Sequence, residues 1–274
     1  MNTIEAESSP VLAVKPRRLT WGKNQNPPLP MRSLQDERFM MLPDGGRYKG
    51  GWEQGVKQGD GTLIYVDGSV YTGDFKNDLA EGQGHLLYPN GDQYEGEFKE
   101  GKPNGKGVFS GADGSKYDGE WVANKPEGRG VETASDGTIY VGQLVAGSKH
   151  GQGKISFPTG SFYEGEWDAD EMEGIGTYKW QNGMVYHGEW HLGQQNGKGV
   201  LHMATKEIYE GHFTAGQPHG KGLIRFPDGT LLEGNWTFGT QEGPGIFHYP
   251  NSRKVRGFWV NGQYCQDLEL QDEL

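Results

Sequence analysis

The sequence predicts an all-β fold, in which a single elongated array of antiparallel β-hairpins follows a disordered N-terminal leader. Three observations predict it: an unbroken period of 23 residues, glycines at fixed places in each period, and turn-forming residues between them. A fixed period indicates a solenoid, because each unit buries its apolar face against its neighbours. The repeats open at Tyr48, Tyr71, Tyr94, Tyr117, Tyr140, Tyr163, Tyr186 and Tyr209, with Leu232 and Val255 in the same place of the last two. Repeat positions are counted from this residue, which is position 0.

The first five positions of a repeat predict its first strand. In residues 163–167 (Tyr-Glu-Gly-Glu-Trp) the rings and the glycine alternate with polar residues, so the rings share one face of a strand. The central glycine leaves room for a neighbouring side chain or backbone.

A tight turn is expected after this strand, at position 7. Only Gly, Asn and Asp occur there, at Gly55, Asp78, Gly101, Asn124, Gly147, Asp170, Gly193, Gly216, Gly239 and Gly262. These residues tolerate positive φ best, so a left-handed residue is predicted.

The second strand begins with Gly-x-Gly and continues with apolar residues at alternate positions, as in Leu63 and Tyr65. It ends in Asp-Gly or Asn-Gly in most repeats, for example Asp67-Gly68, which favours a type I′ hairpin turn. Thr205-Lys206 lacks the glycine, and a different turn is expected there.

Laid end to end, the hairpins predict a ribbon with rings on one face and polar side chains on the other. Ten repeats of two strands, at about 4.8 Å per strand, predict a length of roughly 95 Å. Since nothing is stacked over a single sheet, part of the ring face is expected to stay accessible.

Together, the Tyr-x-Gly-x-Trp strand, the Gly/Asn/Asp turn, the Gly-x-Gly pair and the Asp-Gly turn at period 23 resemble the MORN repeat (membrane occupation and recognition nexus). The resemblance covers residues 48 to about 264, after a half-repeat at residues 39–45. It implies a non-enzymatic scaffold or adaptor of cytoskeletal, ciliary, flagellar or membrane-associated complexes, with radial-spoke proteins as the nearest analogy. It also implies that partners lie along a concave aromatic side.

The predicted domains are a leader at 1–38 rich in proline and basic residues, the array at 39–264, and an acidic tail or cap at 265–274. In the leader, Trp21 or the polyproline II segment Pro27-Pro28-Leu29-Pro30 is a candidate docking peptide, and a plain disordered leader is the alternative.

Charge argues against nucleic acid as a partner. The net charge is −11, and because the leader has six basic and four acidic residues, the rest of the chain carries −13. Such a surface disfavours nucleic acid and anionic lipid. One cysteine, Cys265, and the lack of an apolar N-terminal segment lead us to expect a cytoplasmic protein, associated with the cytoskeleton, a cilium or a flagellum.

No catalytic, metal or cofactor motif is recognised, so no enzyme, cofactor or metal site is predicted. Carboxylates in the first strands, such as Glu97, Glu166 and Glu189, are interpreted as a solvated face. His187, His191 and His212 lie in neighbouring repeats, and whether they converge is left open.

An aromatic groove is the predicted partner-binding site. Its residues are Tyr94, Phe98, Tyr117, Trp121, Tyr163, Trp167, Tyr186 and Trp190, which also hold the repeats together. An extended or helical peptide is the expected ligand. Near this row Gly111 and Ala134 replace rings, and Glu132 takes an apolar place; tolerated drift, a kink or a gap for a partner side chain are the alternatives.

Three functions follow. The leading one is a scaffold that binds protein partners of unknown identity along this groove, or that forms a homodimer through the array ends. A membrane-associated phosphoinositide-binding module is the second, since Lys106, Arg129, Lys198 and Lys221 share position 12. The third is a regulator of a separate kinase or methyltransferase chain.

Overall fold

The computed structural model describes residues 39–268, and the all-β prediction is confirmed for them. They form 21 strands, and no helix that could cross a bilayer occurs in this range. The leader, with Trp21 and residues 27–30, lies outside the described residues, as do residues 269–274 of the tail.

Each repeat contributes a seven-residue first strand and a longer second strand. After β1 (Met40–Met41), the first strands are β2 (Arg47–Glu53), β4 (Val70–Lys76), β6 (Gln93–Lys99), β8 (Lys116–Val122), β10 (Ile139–Val145), β12 (Phe162–Asp168), β14 (Val185–His191), β16 (Ile208–Thr214), β18 (Leu231–Thr237) and β20 (Lys254–Val260). The second strands are β3 (Val56–Ile64), β5 (Leu79–Leu87), β7 (Lys102–Ser110), β9 (Lys125–Thr133), β11 (Ser148–Ser156), β13 (Glu171–Lys179), β15 (Gln194–His202), β17 (Gln217–Arg225), β19 (Thr240–His248) and β21 (Gln263–Leu268).

The described residues divide into two compact units, residues 39–151 and 152–268, and the division falls within β11. In the first unit, each strand from β1 to β10 pairs antiparallel with the next one along the chain. The second unit repeats this pattern from β12 to β21. Pairing between sequence neighbours is the arrangement that the 23-residue period predicts.

The glycines at positions 2 and 13 form a row across the strands of each unit. In the second unit, for example, Gly176 pairs with Gly165 on one side and with Gly188 on the other. Directly after this row the hairpins carry a β-bulge, as between Gly188 and Trp190. A bulge bends its strand and sharpens the local twist, so each hairpin folds about its glycines.

The first turn of each repeat is a two-residue turn in which both residues have positive φ. Gln54 and Gly55 have φ of 49° and 85°, and Ala169 and Asp170 have 47° and 73°. Two consecutive left-handed residues define the type I′ turn. The sequence predicted one such residue, because position 6 is occupied by residues that rarely adopt this region, including Ala123, Ala146, Leu192 and Phe238.

The Asp-Gly turns do not have the predicted type I′ geometry. Of Asp67 and Gly68, only Gly68 has positive φ, at 88°. The N–H of Gly68 donates to the carbonyl of Tyr65 (3.0 Å), and Asp67 Oδ1 accepts the N–H of Ser69 (2.8 Å). The result is a three-residue loop, a type I turn closed by a left-handed glycine.

The expectation of a different turn at Thr205-Lys206 is also wrong. Lys206 takes the left-handed place of the glycine, with φ of 77°, and its N–H donates to the carbonyl of Met203 (3.0 Å). The loop geometry is therefore set by its hydrogen bonds, and a lysine adopts it at the cost of backbone strain.

Neighbouring repeats are also tied together at their first turns. The N–H of Gly193 donates to the carbonyl of Met172 in the preceding repeat (3.0 Å), and Glu173 Oε2 accepts the N–H of Leu192 (3.1 Å). These bonds satisfy turn N–H groups that have no partner in the strand ladder. Equivalent side-chain bonds come from Gln58, Glu81, Glu127, His219 and Glu242.

Candidate functional site

The predicted aromatic groove does not offer the accessible rings that were expected. The exposed fraction is 1% for Tyr94, 4% for Phe98, 0% for Tyr117, 2% for Trp121, 0% for Tyr163, 5% for Trp167, 0% for Tyr186 and 3% for Trp190. The rings are therefore not accessible as expected, because the bend at the glycine row folds each hairpin over them. A partner has almost no surface of these eight rings to contact.

The rings are buried because they lean over the glycines and cover one another. Four residues of extended strand span about 13 Å, yet the ring centroids of Tyr94 and Phe98 are only 5.1 Å apart. Each tyrosine also contacts the ring of the next repeat edge to face, as Tyr94 does with Trp121 at 5.0 Å. Edge-to-face contacts are the favoured geometry of aromatic pairs, so the rings form a continuous packed row within each unit.

The polar atoms of the rings are satisfied inside this row. The Tyr163 hydroxyl donates to the carbonyl of Glu166 (2.8 Å), and Trp190 Nε1 donates to the carbonyl of Gly176 (3.1 Å). Burial raises the pKa of the Tyr163 hydroxyl, and the nearby carboxylates of Glu166 and Glu173 add to the effect. Buried aromatic residues with satisfied polar atoms are structural, and they leave the opposite face as the surface open to a ligand.

A groove lies on the opposite face of the second unit, with a volume of about 1100 Å³. Its floor is the glycine row, formed by Gly188, Gly199, Gly211, Gly222, Gly234 and Gly245. We call it the glycine groove. The floor is low because glycine has no side chain, and the bend after it brings the flanking side chains up as two walls.

One wall of the glycine groove carries positive charge. Lys198 pairs directly with His212, and Lys221 follows on the next strand at the same repeat position as Lys198. All three side chains are exposed and line the groove. We call Lys198, His212 and Lys221 the basic wall.

The other wall alternates apolar and acidic residues. Across the glycine floor from Lys198 and His212, Val200 pairs with Glu210, and Leu223 pairs with Glu233 in the same way. Ile246 continues the series next to Glu233, and Arg256, which pairs with Ile246 on its other side, ends this wall with a cation. We call Val200, Glu210, Leu223, Glu233 and Ile246 the mixed wall. Opposite charges on two sides of an apolar trough favour a ligand of defined orientation.

Some carboxylates interpreted as a solvated face have a specific role. Glu189 Oε1 accepts the N–H of Lys198 (2.9 Å), and Glu97 and Glu166 accept the N–H groups of Lys106 and Ile175 in the same way. The bulge takes these N–H groups out of the pairing within their own hairpin, and the carboxylate at position 3 replaces the lost partner.

Position 3 changes in the repeats that open at Tyr209 and Leu232. His212 and Asn235 stand where earlier repeats have Asp74, Glu97, Glu120, Gln143, Glu166 and Glu189. Consequently Lys198 faces His212 and Lys221 faces Asn235, whereas Lys106 in the first unit faces Glu120. This change is visible in the sequence. Its consequence, the loss of an acid opposite Lys198 and Lys221, depends on which residues pair across neighbouring strands.

The three histidines are placed separately. His187 Nδ1 lies 2.9 Å from Thr177 Oγ1, and His191 Nδ1 lies 2.9 Å from Glu173 Oε1. The hydrogen bond from His191 and that from the N–H of Leu192 lower the pKa of Glu173. Within residues 39–268 no group of three or more His, Cys, Asp or Glu side chains is arranged to hold a metal ion.

Comparison with known proteins gives a family. The family model of the MORN repeat matches nine segments of the chain, at residues 48–70, 71–93, 94–116, 117–139, 140–162, 163–185, 186–206, 209–231 and 233–252. No curated protein sequence matches the chain.

Among solved structures, the chain is similar to the TCP10 domain of Danio rerio CPAP in complex with a peptide of Danio rerio STIL. The identity is 15% over 85% of this chain and 98% of that one, with a TM-score of 0.46. The Drosophila melanogaster SAS-4 (dCPAP) TCP domain, in complex with a proline-rich motif of Ana2 (dSTIL), is 15% identical over 86% of this chain and 99% of that one, with a TM-score of 0.22. An inactive Staphylococcus aureus virginiamycin B lyase with quinupristin is 13% identical over 86% and 84%, with a TM-score of 0.16.

Proposed function

The chain belongs to the MORN-repeat family, and from this premise we propose that it is a non-enzymatic scaffold that binds a segment of a partner protein in the glycine groove. Membership of a repeat family points to a scaffold or binding role. The observation that supports binding of a partner segment is the glycine groove itself, an open trough of about 1100 Å³ with apolar and charged walls.

The shape of the groove favours a chain segment over a small molecule. It runs across successive strands from Ile175 to Arg256 and stays open along its length. Its apolar residues Val200, Leu223 and Ile246 recur once per repeat, about 9.6 Å apart at the usual strand spacing. Regularly spaced anchors suit a segment with its own regular side-chain spacing.

The family resemblance supports the remaining parts of the proposal. We propose that the protein acts in a cytoplasmic cytoskeletal, ciliary or flagellar complex, because scaffolds of such complexes are the family members that it resembles. Co-localisation of the tagged protein with microtubule or axoneme markers tests this placement separately from groove binding.

The binding proposal is tested by photo-crosslinking at Leu223. A photoreactive amino acid at this position of the full chain, expressed in its native cell, is expected to capture a defined peptide of a partner protein. The comparison is Leu223→Asp, which places a charge among the apolar anchors and is expected to lower recovery of that partner at least tenfold.

The matched control is Val131→Asp. Val131 occupies the same repeat position as Leu223, but in the first unit and outside the groove, and its side chain is 40% exposed. It is expected to leave recovery unchanged. Full recovery with Leu223→Asp, or equal loss with both variants, would contradict binding in the groove.

A further inference from the structure

The lysines of the basic wall differ from Lys106 of the first unit in what they face. Side chains directly opposite each other on neighbouring strands lie about 5 Å apart. In the first unit Lys106 faces Glu120, and Arg129 faces Gln143. In the groove, Lys198 faces His212 instead of an acid, and no ion pair of Lys198 or Lys221 occurs within the described residues.

Lys198 and Lys221 therefore have no carboxylate directly opposite them on the following strand, and the nearest acid on this wall is Glu189, whose carboxylate accepts the backbone N–H of Lys198. Lys198, His212 and Lys221 lie on three successive strands, β15 to β17, so they extend over about 10 Å. Their side chains are exposed, so they are available to an anion from outside. Two lysines without facing carboxylates attract negative charge more strongly than the same lysines paired with acids.

The mixed wall limits what kind of anion fits. Glu210 and Glu233 lie across the glycine floor, and they repel a ligand that is uniformly negative. Between them, Val200, Leu223 and Ile246 offer apolar contact at regular spacing. The groove thus accepts negative charge on one side and apolar surface on the other, which a flat anionic membrane does not provide.

From this geometry we infer that the occupant of the glycine groove is an amphipathic protein segment, whose acidic edge lies on Lys198, His212 and Lys221 and whose apolar edge lies on Val200, Leu223 and Ile246. This rests on the proposed function and names the chemistry of its partner. A helix advances about 10.5 Å in seven residues, so an apolar residue once per heptad matches the spacing of the mixed wall.

The test uses two designed helical probe peptides of about 15 residues, with leucine at every seventh position. One carries glutamate along the edge beside the leucines, and the other carries lysine at the same places. The full-length protein is expected to bind the glutamate peptide at least tenfold more tightly, by fluorescence anisotropy at low salt, and the preference should weaken as salt rises.

The variants are Lys198→Glu/Lys221→Glu and the matched control Lys106→Glu, which changes the same repeat position outside the groove. The double variant is expected to reverse the preference, so that the lysine peptide binds more tightly. The control is expected to leave it unchanged. An unchanged preference in the double variant, or an equal change in the control, overturns the inference.

A third probe separates protein from lipid. Vesicles of phosphatidylcholine and phosphatidylserine are expected not to sediment with the protein at physiological salt. Vesicle binding that is lost in Lys198→Glu/Lys221→Glu, with no peptide binding, overturns the inference in favour of a lipid headgroup. If Leu223→Asp removes the native partner while the charge variants change nothing, the proposed function stands and only the partner chemistry is wrong.

Discussion

At the scale of single residues, the central glycines matter for the space that they leave. A Cβ added at Gly107 would lie 2.6 Å from Tyr94 Cε2, and closer still to the hydroxyl of the same ring. Gly107 has an ordinary strand φ, so the requirement for glycine comes from the ring above it. The same arrangement recurs at Gly84, Gly130, Gly176, Gly199 and Gly222.

We expect Gly107→Ala to lower the free energy of unfolding by about 3 kcal/mol, because the Tyr94 ring must move out of its packed row. Chemical denaturation measures the change. Gly114→Ala is the control: nothing lies within 4 Å of its Cβ, and only its φ of 87° opposes the substitution, so about 1 kcal/mol is expected. Equal costs at the two sites would mean that the ring does not set the requirement.

At the scale of strands and turns, the irregular part of the ring face is compensated within the fold. Glu132 takes an apolar place next to Tyr117 and Tyr140, and Lys149 Nζ lies 3.5 Å from its Oε2. The side chain of Lys149 is 5% exposed and that of Glu132 is 14% exposed. The lysine also lies 5.2 Å from the Tyr140 ring centroid. A buried ion pair thus takes the place of apolar packing, in addition to the three explanations that the sequence suggested.

We expect Lys149→Met to lower the free energy of unfolding by about 3 kcal/mol, because it leaves the Glu132 carboxylate buried without its cation. Glu132→Leu/Lys149→Met should restore stability to within about 1 kcal/mol of the natural protein, since both charges are then gone. Denaturant titration of the natural protein, the two single variants and the double variant gives the coupling free energy between Glu132 and Lys149. Additive losses in the double variant would show that the pair does not act as a unit.

Lys154→Met provides the comparison on the surface. Lys154 Nζ lies 2.9 Å from Glu164 Oε2, but the two side chains are 43% and 60% exposed. Loss of a solvated pair is expected to cost less than about 1 kcal/mol.

At the scale of the whole molecule, the buried tyrosines make the stability of the fold depend on pH. Burial raises the pKa of Tyr71, Tyr94, Tyr117, Tyr163, Tyr186 and Tyr209 above the ordinary value of 10.0. A raised pKa in the folded state means that the folded protein holds the proton more tightly than the unfolded chain does. This contribution to stability is complete below pH 10 and is lost as the pH rises above it.

We therefore expect the thermal midpoint of unfolding to fall steeply above pH 10. Ultraviolet absorbance near 295 nm, which follows tyrosine ionisation, should show the buried hydroxyls ionising together with unfolding. Smooth ionisation of all tyrosines around pH 10 in a protein that stays folded would contradict their burial.

Much of the fold is predictable from the sequence, because the same residues recur at the same places in each repeat. Tyr163, Gly165 and Trp167 recur in the same order in successive repeats, so a local pattern is repeated until it determines pairing between neighbours. Turn geometry was predicted less well. Ala146 at φ of 51° and Lys206 at φ of 77° adopt conformations that their residue types disfavour, because a hydrogen bond to Glu127 of the preceding repeat holds the first and a bond across the loop holds the second.

The sequence by itself determined the all-β class, the hairpin unit and the strand order. These follow from the 23-residue period, because each repeat pairs with the repeats next to it in the sequence. Only the tertiary structure decided which face is available to a partner. The bulge after the glycine row bends each hairpin, which closes the rings over Gly176 and its equivalents and opens the glycine groove on the opposite face. The bend and the pairing of Lys198 with His212 both depend on the register between neighbouring strands. The order of residues in the sequence does not show that register.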